Sequence, residues 1–116
     1  MRGRGDCGSC VVLINGRAAT TCNRPLKKVG GQEITTIEGL ARGNLLHPVQ
    51  EAFVKAGAIQ CGFCTHGKVL QAKDLLGHCP HPSEEEILET LDSHICRCTG
   101  YVKIVEAMQL TSRKMT

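Results

Sequence analysis

The sequence predicts a mostly α chain: a four-helix bundle preceded by a β-hairpin, with its functional chemistry on cysteine. Three observations predict it. An Asn-Gly dipeptide separates two apolar runs near the N-terminus, a helical apolar period sets in near His47, and eight cysteines stand among 116 residues that include only three aromatic rings. With Phe53, Phe63 and Tyr101 as the only rings, the side chains that usually dominate core burial are scarce. Something other than ring packing must help hold so short a chain together.

The hairpin comes first. Val11 to Ile14 is apolar and β-branched, Asn15-Gly16 follows, and a second run spans Arg17 to Cys22. A type I′ turn needs positive φ at both central residues, which Asn-Gly supplies at low cost. With Asn15 and Gly16 as the turn, Ile14 pairs with Arg17, Cys10 faces Thr21, and Cys22 lies one step from that partner. After Pro25 the polar and glycine-bearing stretch through Lys27, Lys28, Gly30 and Gly31 reads as a connector.

Four helices follow. Val49, Ala52, Phe53 and Ala56 share one face of a helix that ends near Gly57. A second runs from Thr65 to Leu76, with Val69, Leu70, Ala72, Leu75 and Leu76 inward and Gly77 closing it. The third opens on a capping box, Ser83 as N-cap and Glu86 at N3, ahead of Ile87, Leu88 and Leu91. The fourth begins near Tyr101 and places Val102, Val105 and Met108 on its buried stripe, with Ile104 on the flank.

Composition narrows the function. The N-terminus has no apolar leader, and no run reaches the about 18 apolar residues of a membrane span, so the expected compartment is the cytoplasm, with reduced thiols. There, close cysteine pairs are more often metal ligands or catalytic thiols than disulfides. A net charge of +3 without a basic block, and few rings for stacking, excludes nucleic acid as the expected partner.

Cys61-Gly-Phe-Cys64 and Cys96-Arg-Cys98 fall at the mouths of the second and fourth helices. Backbone N–H groups are free there and can stabilise anionic sulfur. C-x-C suits a tetrahedral zinc site poorly, since structural zinc pairs are usually spaced C-x2-4-C, and this favours iron-sulfur over zinc. A small zinc-binding interaction module using the same four cysteines is the alternative. Cys7-Gly-Ser-Cys10 with Cys22 follows the end of the plant-type ferredoxin spacing, but counting back to the first ligand lands on Arg2.

These runs carry a resemblance. Gly5-Asp-Cys-Gly-Ser-Cys-Val-Val-Leu-Ile-Asn-Gly, Thr36-Ile-Glu-Gly-Leu, His47-Pro-Val-Gln-Glu-Ala-Phe, Gln60-Cys-Gly-Phe-Cys-Thr and Cys96-Arg-Cys-Thr-Gly-Tyr resemble the iron-sulfur subunit of the xanthine dehydrogenase and aldehyde oxidase family of molybdenum hydroxylases. The resemblance implies a partial ferredoxin-like (β-grasp) 2Fe-2S domain over residues 1–33 and a helical 2Fe-2S-binding domain over 34–116. It implies that Cys61, Cys64, Cys96 and Cys98 bind the cluster nearer the molybdopterin, and that Cys7, Cys10 and Cys22 belong to the cluster nearer the flavin. Gln60 matches the glutamine that hydrogen-bonds the pterin, and Cys98 the ligand at the pterin edge. The expected partners are a large subunit that binds molybdopterin and a medium subunit that binds FAD, with this chain relaying electrons and not acting on substrate.

Two departures from the family pattern stand out. The family domain starts well upstream, with strands and a helix absent here, so the expectation is a true start before Met1, ahead of a fragment or a lost cluster. After Cys64 the family has Thr-Pro-Gly and an apolar residue, where this chain has Thr65-His66-Gly67-Lys68. The other polar groups read as structural. Cys79 is expected to be a free loop thiol, His47 to start a helix, and Glu84, Glu85 and Glu86 to complement a helix dipole.

Overall fold

In the computed structural model, residues 9–92, 95–96, 98 and 101–114 are described. Cys7, Arg2 and Arg97 lie outside them. Strands β1 (Val11–Ile14) and β2 (Arg17–Thr20) form the hairpin, in the register expected from the turn: Ile14 opposite Arg17 and Val11 opposite Thr20. Asn15 and Gly16 have φ of 54° and 83°, so both turn residues are left-handed. The Thr21 N–H donates to the Cys10 carbonyl at 2.6 Å, which extends the ladder by the expected pair.

The connector holds more structure than its composition suggests. Two 3-10 turns (Leu26–Val29 and Ile37–Gly39) flank a third strand, β3 (Ile34–Thr35), which makes the sheet order β2-β1-β3, all antiparallel. The turn asparagine recruits this strand: the Asn15 N–H donates to the Glu33 carbonyl at 2.7 Å, and the Glu33 N–H donates to Asn15 Oδ1 at 3.0 Å.

Helix α1 (Pro48–Lys55) has proline in its first turn, where a missing N–H costs nothing, and His47 as its N-cap. The Val49 N–H donates to His47 Nδ1 at 3.2 Å, and the His47 N–H donates to Gln50 Oε1 at 2.9 Å. Helix α2 (Thr65–His78) runs through Gly77, which therefore does not close it; Cys79 is its C-cap. Helix α3 (Glu84–Leu91) starts on the Ser83 and Glu86 capping box, with both reciprocal bonds made. Helix α4 (Val102–Lys114) completes the set, and none of these helices is long and apolar enough to cross a membrane.

One continuous core joins Val11 and Leu13 of the sheet to Val49, Phe53, Val69, Leu70, Leu76, Ile87, Leu91, Ile104 and Met108. On α4, Val105 and Met108 are buried as expected, but Val102 is not. Val102 is 63% exposed, while Ile104, Ala107, Met108 and Thr111 are fully buried at spacings of three and four. Small Ala107 and polar Thr111, whose hydroxyl donates to the Ala107 carbonyl at 2.8 Å, set the inward face that hydropathy assigned to Val102. Leu75, expected inward, is only half-buried, and Leu88 is exposed.

Asp74 on α2 ties the sheet to the helices. Its Oδ2 accepts from the Ala18 N–H at 3.0 Å, and its Oδ1 stands 3.1 Å from Arg17 Nε and 3.4 Å from His78 Nδ1.

The corrected face of α4 predicts that Ile104→Ala costs ~2–5 kcal/mol of stability. Val102→Ala should stay within about 1 kcal/mol, both read from denaturant midpoints. His47 gives a pH signature, because burial first and the Lys73 charge second lower its pKa below the ordinary 6.5. Below 6.5 the unfolded chain takes up a proton that the folded chain refuses until pH passes its lower folded value. Stability therefore falls as pH drops through that window. His47→Asn keeps a good cap without the titration, so its unfolding midpoint should fall less than the wild type's between neutral pH and about 5.5.

Candidate metal centre

The Cys61 to Cys64 turn leads directly into α2. Gly62 has φ of 86°, a conformation that strains any side chain, and the Thr65 N–H donates back to the Gly62 carbonyl at 3.3 Å. Cys64 is the N-cap of α2 but makes no side-chain cap hydrogen bond, so its sulfur is not spent on the helix.

The second turn is organised by Tyr101. Its φ of 71° is unusual for a bulky residue and costs ~1–3 kcal/mol. In return its hydroxyl accepts the Cys96 N–H at 3.0 Å, which ties the C-x-C segment to the start of α4. Its ring also lies 4.7 Å from the Lys68 ammonium, measured to the centroid, a cation-π contact between α2 and α4.

The four sulfurs act on one another across these turns. Cys64 is influenced most by Cys96 and Cys98 most by Cys61, while Cys61 also bears on Cys64 and Cys96 on Cys98. Among the described residues no three His, Cys, Asp or Glu side chains cluster tightly enough to hold a single metal ion. A pairwise arrangement suits a group with two metal atoms, each taking two thiolates, better than one tetrahedral ion needing all four at one point. None of the four is in a disulfide; Cys61 and Cys98 are exposed, Cys64 and Cys96 half-buried. Phe63 (66% exposed), between Cys61 and Cys64, and Ile95, next to Cys96, are uncovered apolar side chains in the two turns.

Burial, reinforced by the hydrogen bond with Cys96, pushes the Cys64 thiol up to about 11. The hydrogen bond with the Cys61 side chain raises the Cys98 thiol. A metal that binds these thiols must displace their protons.

The other residues singled out from sequence are dispersed. Gln60 is exposed beside Cys61. Cys10 and Cys22 are both exposed at the open end of the hairpin. His66, one residue past Thr65, reaches this end: its Nε2 lies 2.5 Å from the Ser9 carbonyl and links the first cysteine loop to the second. Cys79 sits 3.9 Å from Glu86 Oε2, away from the paired sulfurs and outside any disulfide. Lys68 is the residue the sequence did not reveal. It is fully buried one turn past Cys64, and its N–H donates to the Cys64 carbonyl at 3.1 Å.

Thiolate, not thiol, reacts with alkylating agents. In protein stripped of metal with a chelator, alkylation of Cys64 should therefore be slow at neutral pH and rise steeply as pH approaches about 11, as read by mass spectrometry of alkylated peptides. A rate for Cys64 that is the same at neutral pH and near 11 would contradict the assigned environment.

Comparison with known proteins agrees with this chemistry. Residues 36–109 match the family model of the [2Fe-2S] binding domain. The small FeS subunit of nicotinate dehydrogenase from Eubacterium barkeri is 43% identical over 105 residues, covering 90% of this chain and 67% of that protein. The alpha chain of isoquinoline 1-oxidoreductase from Brevundimonas diminuta is 42% identical over 112 residues, covering 97% and 73%. The crystal structure of quinoline 2-oxidoreductase from Pseudomonas putida superposes with a TM-score of 0.91 at 37% identity, over 96% of this chain and 70% of that one. The chain thus belongs to the [2Fe-2S]-binding family of iron-sulfur small subunits of the molybdenum hydroxylases, electron-transfer subunits of oxidoreductases.

Proposed function

We propose that Cys61, Cys64, Cys96 and Cys98 hold one 2Fe-2S cluster, Cys64 with Cys96 on one iron and Cys61 with Cys98 on the other. The observation that carries this is the mutual approach of four cysteines from the turns that open α2 and α4, with Cys64 influenced most by Cys96 and Cys98 most by Cys61. When bound, the cluster supplies one-electron transfer between a molybdopterin centre and FAD, which a large and a medium partner subunit would carry. This chain's residues supply position and environment: Gly62 bends the first turn, Tyr101 pins the second, and uncapped N–H groups at the start of α2 face the sulfur-bearing loop.

Cys98 and Gln60, both exposed, then lie toward the pterin, and a partner subunit covers the uncovered Phe63 and Ile95 in the two cysteine turns. Cys7, Cys10 and Cys22 are the ligands available to a second cluster nearer the flavin, with Arg2 at the position of the missing one. Residues 1–33 form the unit for that second site and 34–116 the unit for the first, in a cytoplasmic enzyme.

The test is to purify the chain without oxygen, measure iron and acid-labile sulfide, and record the EPR spectrum after reduction. About two irons and two sulfides per chain are expected from the paired site alone, and about four irons if the N-terminal site also assembles. Cys96→Ser should abolish the signal of the paired site. A folded product that carries zinc and no iron would overturn the proposal.

A further inference from the structure

Lysine is almost never fully buried unless its charge is compensated. Stripping an ammonium of water costs on the order of several kcal/mol even after the surroundings relax. Yet Lys68 has 0% exposure and ranks among the largest fully buried side chains of the molecule. It occupies the first turn of α2, four residues past Cys64 and bonded through its N–H to the Cys64 carbonyl. Its ammonium rests 4.7 Å from the centroid of the Tyr101 ring, and the same Tyr101 holds the Cys96 N–H through its hydroxyl. Lys68 is therefore clamped between the two turns that bring Cys64 and Cys96 together.

We propose that Lys68 is a built-in countercharge, held by Tyr101 beneath the Cys64 and Cys96 pair, that raises the reduction potential of the cluster bound there. The proposal rests on the reading that these cysteines hold a 2Fe-2S cluster. Four thiolates and a cluster form an anionic group, and one-electron reduction adds one further negative charge. A fixed cation in a buried site stabilises the more negative state more, since field lines there are poorly screened by solvent. The same charge makes assembly of four thiolates in a half-buried site less costly. Tyr101 keeps the ammonium in place through the face of its ring, which explains why a strained left-handed tyrosine is retained at the start of α4.

The experiment compares wild type, Lys68→Met, Lys68→Gln and Lys68→Arg, each purified without oxygen, by iron content, thermal unfolding and an EPR-monitored titration against dithionite and redox mediators. In the neutral variants the midpoint should fall by at least about 59 mV, a tenfold loss in the one-electron reduction equilibrium, while Lys68→Arg should restore most of it. Neutral variants that fold but retain no iron, alongside an arginine variant that retains it, would equally support a charge requirement. Neutral variants with full iron and an unchanged midpoint would overturn the proposal, as would loss of iron in the arginine and neutral variants alike, since that pattern marks shape rather than charge. Absence of iron in the wild type would instead overturn the cluster reading beneath it.

Discussion

The site depends on one constraint: two cysteine turns distant in sequence must open at the same end of the helical layer. Helices α2 and α4 satisfy it because each begins at its cysteine turn and both pack into one core with α1. Phe53 and Val49 of α1 and Ile104 and Met108 of α4 are buried in that core, with Leu70 and Val69 of α2. The final approach is made by polar contacts. Tyr101 binds the Cys96 N–H with its hydroxyl and the Lys68 ammonium with its ring, so one side chain joins both turns.

The electrostatics of this end run against ordinary folding economy. A lysine lowered by burial and a tyrosine at φ 71° are unfavourable features taken alone, and a thiol raised to about 11 resists the deprotonation that metal binding needs. Strained and destabilised groups persist where the surroundings over-determine them, and they gather at functional sites. Ligation would turn the sulfurs of the turn that opens α2 into thiolates, anions one helical turn from the Lys68 ammonium.

Much of this was legible in the sequence for physical reasons that can be named. Asn15-Gly16 dictates a turn with two positive φ values, and once the turn is placed the hairpin register follows by counting. Ser83 and Glu86 satisfy each other's backbone N–H groups, so α3 starts where they do. Strand β3 escaped because two residues carry no periodicity; it forms through the Asn15 and Glu33 exchange, a tertiary effect. On α4 only Val102 departs from the expected stripe: hydropathy ranks it above Ala107 and Thr111, whereas close packing selects for size. The paired cysteines stood out by spacing. Lys68 did not, since a lone lysine in an amphipathic helix ordinarily points to water, and only the fold reveals that it lies inside. Gly77 gave a false stop because a glycine near a helix end is tolerated inside it as readily as beyond it.

Whether the sulfurs serve two metal atoms in pairs is tested most directly by X-ray absorption at the iron edge of the anaerobically purified chain. For chain carrying about two irons, the expected spectrum has an all-sulfur first shell around each iron with a single neighbouring iron just beyond it, and the iron neighbour is lost in Cys98→Ser. A mononuclear spectrum with four cysteine sulfurs and no iron neighbour, or a shell containing nitrogen in the wild type, would contradict the pairing.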